Sequence, residues 1–211
     1  MQIPVCLHRL AVLPVTAGLL WATVAVGQQA AIQLPKPQMT GGMPLMQALA
    51  QRQTTRAFAD KPLPLQTLSN LLWAAFGVNR PRAVKAGLGR TAPSAMNKQE
   101  IELDVVLADG VYVYEAEENR LRLVVAGDMR GKVGTDAAVH AAVTLVYVAD
   151  EKLDYAQVDA GFIGQNVYLF AASEGLNAWL YAIHTPDVPG ALKLTAHRKP
   201  LYAQSVGYPA K

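Results

Sequence analysis

Cysteine is almost missing from the chain. Cys6 is the single one among 211 residues, and it lies in a segment whose composition marks it for removal. Without it there are no disulfides, no thiolate metal sites and no cysteine nucleophile. Histidine is nearly as sparse. Outside the first segment only His140, His184 and His197 remain, far apart and without HxxxH or HExxH spacing, so no metal centre is expected. A GxSxG elbow is lacking, and Ser94 has no base beside it, which leaves hydrolase chemistry without a motif. An excess of either charge is also missing. The formal net charge is +3, and loss of Arg9 takes Lys+Arg from 19 to 18 against 16 acids, or +2. Such a balance implies no nucleic-acid surface.

A leader is present. Residues 1–9 carry one basic residue and no acid, residues 10–26 carry no charge, and Ala25-Val26-Gly27 offers small residues for cleavage. Residues 1–27 are expected to be a secretory signal peptide; the alternative is an uncleaved anchor at the short edge of what spans a bilayer. There is no twin-arginine pair and no cysteine ending the apolar run, which leaves the unfolded-chain export route and predicts a periplasmic protein without stable membrane insertion after cleavage. Residues 28–42, QQAAIQLPKPQMTGG, have no periodicity and are expected to form a flexible arm or linker, with one folded domain over residues 43–211.

Within that domain the patterning is mixed. A short helix should end near Arg52. Leu65, Leu68, Leu71, Leu72, Ala75 and Phe76 share a helical face between Pro64 and Gly77. Two β-type runs, 101–108 and 111–116, flank Asp109-Gly110, a hairpin signal, and 121–125 continues the meander. Residues 138–142 look helical, 143–148 suit a doubly covered central strand, and 159–174 form a long helix closed by Gly175. Short strands are expected at 179–183 and 201–206. Helices and strands do not alternate as βαβ, so the fold class is α+β: a central, mainly antiparallel sheet flanked by helices. Gly87-Leu88-Gly89 starts like a dinucleotide fingerprint, but no strand precedes it, and it reads as a flexible loop. The segment 127–134, GDMRGKVG, lacks the ending of a phosphate loop.

Polar clusters carry the remaining chemistry. Arg52-Gln53-Thr54-Thr55-Arg56 puts two guanidiniums and two hydroxyls within a short stretch, able to hold a phosphate through charge-assisted bonds. On local grounds alone the better reading is a solvated helix end whose cations answer the macrodipole. The stretch RTAPSAMNKQE, residues 90–100, offers a proline, a serine and an asparagine but no nucleophile. By itself it reads as a proline turn before the next strand.

Taken in register, RQTTRAFADKPL at 52–63, LSNLLWAAFGVNR at 68–80 and RTAPSAMNKQE resemble the flavin-dependent nitroreductase superfamily. The LLWAA helix is most similar to the branch of SagB/ThcOx-type azoline dehydrogenases. The resemblance implies a homodimer with FMN bound in the interface. It implies that Arg52 and Thr54 hold the phosphate, that Arg56 meets the flavin's pyrimidine edge, and that Gln53 adds a polar contact. Pro93, Ser94 and Asn97 match the PSxxN pattern, which reaches the ring from the partner subunit. Leu180, Tyr181 and Ala182 match the strand whose backbone amides face the flavin, although Trp179 and Tyr181 also suit an ordinary core. No side chain is expected to be catalytic in its own right, since the flavin carries the chemistry.

The chain departs from that pattern in its short carboxy-terminal tail, which leaves Lys211, Arg198 or Lys199 to replace a basic phosphate contact. The implied activity is electron transfer in two steps between a donor (NAD(P)H, a quinol or a redox protein) and a small organic acceptor. Nitroaromatics, quinones and azoline-type substrates are the classes considered, and the other reading is a flavin or small-ligand binding protein without turnover.

Overall fold

The computed structural model describes residues 31–83, 87–150, 152 and 154–210. The leader at 1–27 lies outside the described residues, as does Lys211.

Seven strands form one sheet in the order β1-β6-β5-β4-β7-β9-β8. They are β1 (Ala31–Gln33), β4 (Glu102–Leu107), β5 (Gly110–Glu115), β6 (Arg120–Ala126), β7 (Val143–Asp150), β8 (Asn177–Ala182) and β9 (Arg198–Gly207), and every neighbouring pair is antiparallel. A separate hairpin joins β2 (Val78–Ala83) to β3 (Gly87–Arg90). Helices α1 (Leu45–Gln51), α2 (Leu65–Phe76) and α4 (Ala156–Ser173) are the longer ones; α3 (Arg130–Val133) and α5 (Val188–Ala191) are single turns.

β7 lies between β4 and β9 and is buried from Val143 to Ala149. Its run is apolar except for Thr144, whose hydroxyl pairs with Ser205 Oγ at 2.8 Å, as two covered faces require. On one face, Leu103, Val105, Tyr112, Leu145 and Tyr147 pack with α2 and α4; on the other, Val106, Val111, Val146 and Val148 pack with Val133 and Val188 of α3 and α5. α2 anchors the first layer through Leu68, Leu71, Leu72, Ala75 and Phe76, all buried. A buried leucine contributes about 2 kcal/mol, and truncating fully buried Leu72 to alanine should cost about 2–5 kcal/mol. Leu65, at the head of that face, is 43% exposed.

Four expectations are corrected. The arm at 28–42 is partly inside the fold, which starts by Ala31: β1 pairs with β6, and Leu34 is buried. Ser69 Oγ and Asn119 Nδ2 both donate to the Pro35 carbonyl, at 2.6 and 2.9 Å, and Gln38 N donates to Asn70 Oδ1 at 2.9 Å. Such backbone docking leaves no periodicity to read. The 87–89 stretch is strand β3, not a loop. Residues 138–142 form turns. In the β4–β5 hairpin, Leu107 pairs with Gly110, so Ala108 and Asp109 make the turn and Gly110 begins the strand.

Candidate functional site

The segment after α1 runs along the outer edge of β8. Thr55 N donates to the Ala178 carbonyl at 3.0 Å, and Ala178 N donates back to Thr55 Oγ1 at 3.2 Å. Asn177 Nδ2 donates to the Ala57 carbonyl at 2.6 Å. Fixing Thr55 inward sends its alternate neighbours Thr54 and Arg56 the other way.

Tyr168 of α4 is the hub of this edge. Its hydroxyl accepts from Leu180 N at 2.8 Å and pairs with Thr54 Oγ1 at 3.0 Å. The Arg52 guanidinium carbon lies 5.5 Å from the Tyr168 ring centroid, and that of Arg56 lies 5.1 Å from the Trp179 ring. Among the described residues neither cation has a carboxylate within ion-pair distance. Arg52 is half-buried, and Gln53, Thr54 and Arg56 are exposed. Two oriented, unmatched guanidiniums with a hydroxyl between them suit an anion, and the aromatic faces hold them in place.

Leu180 and Tyr181 join this cluster in different ways. The Leu180 side chain packs toward α4, where Gly164 permits the approach: a Cβ there would meet Leu180 Cδ1 at 2.6 Å. Tyr181 packs against Trp179, ring centroids 4.7 Å apart and tilted by 44°, and faces the opposite layer, its hydroxyl 3.2 Å from Ser205 Oγ. Burial raises the Tyr181 phenol pKa above its ordinary value although Ser205 works against it. Ala182 is exposed at the strand's end. A cleft of about 210 Å³ lined by Gln53, Thr55, Tyr168, Asn177 and Pro209 adjoins the cluster. Ligand-sized pockets start near about 300 Å³, so this cleft alone is smaller than a whole ligand site.

The PSxxN residues lie at the other end of α4. Ala95 N donates to both oxygens of buried Asp159, at 3.1 and 3.2 Å. Asp159 and Tyr168 are nine residues apart in sequence, about 13 Å along the helix, so within the chain the two groups are not brought together. Pro93 and Asn97 are exposed; Ser94 is half-buried, and its Oγ accepts from Gln99 N at 2.6 Å. Gln99 organises the loop: its Oε1 accepts from Arg90 Nε at 2.8 Å, and its Nε2 donates to Leu88 O at 2.5 Å and Asn97 Oδ1 at 2.8 Å. Met96, Asn97 and Gln99 have φ of 51°, 55° and 53°, a left-handed conformation that side chains other than glycine and asparagine rarely adopt. Strain of this kind collects at functional sites.

Tyr168 and Thr55 escaped the sequence reading. Thr55 was legible through alternation with 54 and 56; Tyr168 was not, because its partners are 114 and 12 residues away. Arg198 and Lys199 lie far from this cluster within the same chain. Arg198, at the start of β9 and opposite Asp150 of β7, is six residues from the Gln204 that faces Leu180, or about 20 Å along the strand. The tail does approach the cluster, with Ala59 N donating to Tyr208 O at 2.9 Å.

A family model described as the nitroreductase family matches residues 49–208. A protein of Methanocaldococcus jannaschii named as a nitroreductase is 28% identical over 204 residues, 86% of this chain and 98% of its own. A crystal structure from Ralstonia eutropha, also described as a nitroreductase, aligns with a TM-score of 0.78 and 36% identity over 89% of this chain and 93% of that one. An FMN-dependent nitroreductase of Clostridium difficile shares the fold at a TM-score of 0.54 and 20% identity, over 79% of this chain and 88% of its own.

Proposed function

The chain belongs to the nitroreductase family, and so to the flavin-dependent oxidoreductases; from that premise we propose an exported, FMN-dependent homodimeric enzyme of the SagB-type branch. It would pass electrons from a donor to a small organic acceptor, each admitted in turn to the same site. The observation that carries this reading is the cluster of Arg52, Thr54 and Arg56, whose cations are held on aromatic rings and matched by no carboxylate.

Those residues fit FMN. Arg52 and Thr54 would hold its phosphate, Gln53 would add a polar contact, and Arg56 would place positive charge at the pyrimidine edge, where reduction adds negative charge. The bound cofactor would supply the two-electron chemistry. Leu180, Tyr181 and Ala182 line the strand beside it, and Tyr168 fixes that strand by accepting the Leu180 amide. Pro93, Ser94 and Asn97 would come from the second copy, since their loop lies at the far end of α4 in the same chain.

The second copy has a surface to meet. α4 buries Ala160, Ile163 and Val167 in the core while Val158 and Phe162 stay 54% and 42% exposed, with Tyr155, Met96 and Met46 also bare. A helix apolar on both sides needs cover on both. Export follows from the leader and makes a quinol, a redox protein or the substrate itself a more suitable donor than NAD(P)H. No described helix is long and apolar enough to cross a membrane.

The visible spectrum tests the reading. Protein supplied with FMN should show a bound-flavin spectrum, and an Arg52→Ala/Arg56→Ala double variant should lose it. A wild-type protein that takes up no flavin would refute the proposal. One observation favours binding without turnover: the Leu180 amide is already bonded to Tyr168. A protein that binds FMN but is reduced by no physiological class of donor would support that alternative.

A further inference from the structure

Buried polar atoms in folded proteins nearly always find partners. Among the described residues six buried side-chain atoms have no hydrogen-bond partner, and five of them belong to Glu100, Asp104 and Arg198: both Glu100 oxygens, Asp104 Oδ1 and Arg198 Nε have no partner at all, whereas Arg198 Nη2 has an ion-pair partner in Glu102. Asp104 is only 2% exposed. Two cavities of about 290 and 330 Å³ share Glu102, Val113, Arg122 and Arg198 as walls; Asp104 lines the first and Glu100 the second. Arg198 Nη2 lies 3.1 Å from Glu102 Oε1, which satisfies neither Asp104 nor Arg198 Nε. Opposite the charges, Val124, Leu192 and Leu194 give the first cavity an apolar wall.

We propose that this cavity binds a small zwitterion, an α-amino acid with an apolar side chain, its ammonium on Asp104, its carboxylate on Arg198 with Arg122, and its side chain on Val124, Leu192 and Leu194. The unmet groups are of both kinds, a buried acceptor, Asp104 Oδ1, and a buried donor, Arg198 Nε. A simple anion would leave Asp104 worse off, and a simple amine would leave Arg198 unanswered. The described residues hold no group of three acidic or histidine side chains close enough for a metal ion. The site is separate from the candidate flavin cluster, lying on the layer packed by α5 and at the far end of β9. Glu100 directly follows the strained 93–99 loop, so occupancy adjoins a segment of the proposed flavin site.

Asp104 also gives the binding a pH signature. Burial, with Glu102 adding to it, raises its pKa to about 7 against the pull of Arg198 and Arg122; Lys193 and His197 are the other titratable side chains lining the cavity. Binding should therefore weaken as pH falls through about 7, approaching tenfold per unit below it.

Calorimetry on the full protein tests the proposal with three probes: L-leucine, isoamylamine, which lacks the carboxylate, and 4-methylpentanoate, which lacks the ammonium. L-leucine should bind at pH 8, each half-molecule at least tenfold more weakly. Asp104→Asn and Arg198→Gln should each weaken L-leucine at least tenfold, with circular dichroism reporting that both variants fold. Equal binding of the three probes would overturn the inference. So would no binding of L-leucine together with a crystal structure showing only water on Asp104 Oδ1 and Arg198 Nε. The Arg52→Ala/Arg56→Ala variant should bind L-leucine as the wild type does, so failure of the flavin reading and failure of this one give different results.

Discussion

At the Tyr168 end of α4, cations and hydroxyls stand on an extended segment whose backbone is tied to β8, and the side chains are left to meet a ligand. At the Asp159 end, a loop with three left-handed residues is gathered by one buried carboxylate and the Gln99 amide. The first end offers charge at little conformational cost; the second spends its hydrogen bonds on holding shape. The difference predicts that substitutions of the groups that shape each end are read differently: ligand affinity without loss of stability at Arg52 and Arg56, protein stability at Asp159.

The largest effect should be on affinity. Losing Arg52 and Arg56 together removes two charge-assisted contacts of about 1.5–3 kcal/mol each, which weakens FMN binding by roughly 100- to 10,000-fold. Spectrophotometric titration measures it, and melting of the flavin-free protein should be unchanged. Next, Asp159→Ala should cost about 2–3 kcal/mol by leaving Ala95 N without its acceptor. That is a drop in Tm on the order of 5–10 °C for a chain of this size, visible without any ligand. A Tm equal to wild type would break the contrast between the ends.

Tyr168→Phe sharpens it, because Tyr168 serves both functions. The variant should lose about 1–2 kcal/mol of stability through the unpaired Leu180 N–H and bind FMN about tenfold more weakly as Thr54 loses its partner. The smallest effect belongs to Gly175→Ala, at the C-terminus of α4. Its φ is 65° and an added Cβ would meet nothing within 4 Å, so only backbone strain of about 1 kcal/mol is expected. Chemical denaturation should show it without any change in flavin affinity.

Much of this was legible because it depends on neighbours in sequence. α2, α4 and the β4–β5–β6 meander follow from apolar spacing at periods of 3.6 and 2. Gly175 takes the left-handed position its place after α4 suggests. The alternation of Arg52, Thr54 and Arg56 also carries into three dimensions, since an extended segment preserves it. What escaped were long-range dependencies. β1 is a strand only because β6 lies beside it, and Tyr168 matters only because α4 crosses Leu180. The loop at 93–99 contains no glycine to announce its left-handed residues. Asp104 alternates with Glu102 and Val106, which fixes its face but says nothing of the missing partner.

The short β1 also governs how the protein keeps itself from sticking. A sheet offers free backbone donors and acceptors along its outermost strands, which invite strands of other molecules. On one side Thr55 and Tyr168 cover the amides of β8. On the other, three residues of β1 shield the seven of β6. Removal of residues 1–27 would leave that shield in place. Proteolytic trimming beyond Gln33 would uncover β6 and produce a chain that aggregates edge to edge, even with its core and charged clusters intact.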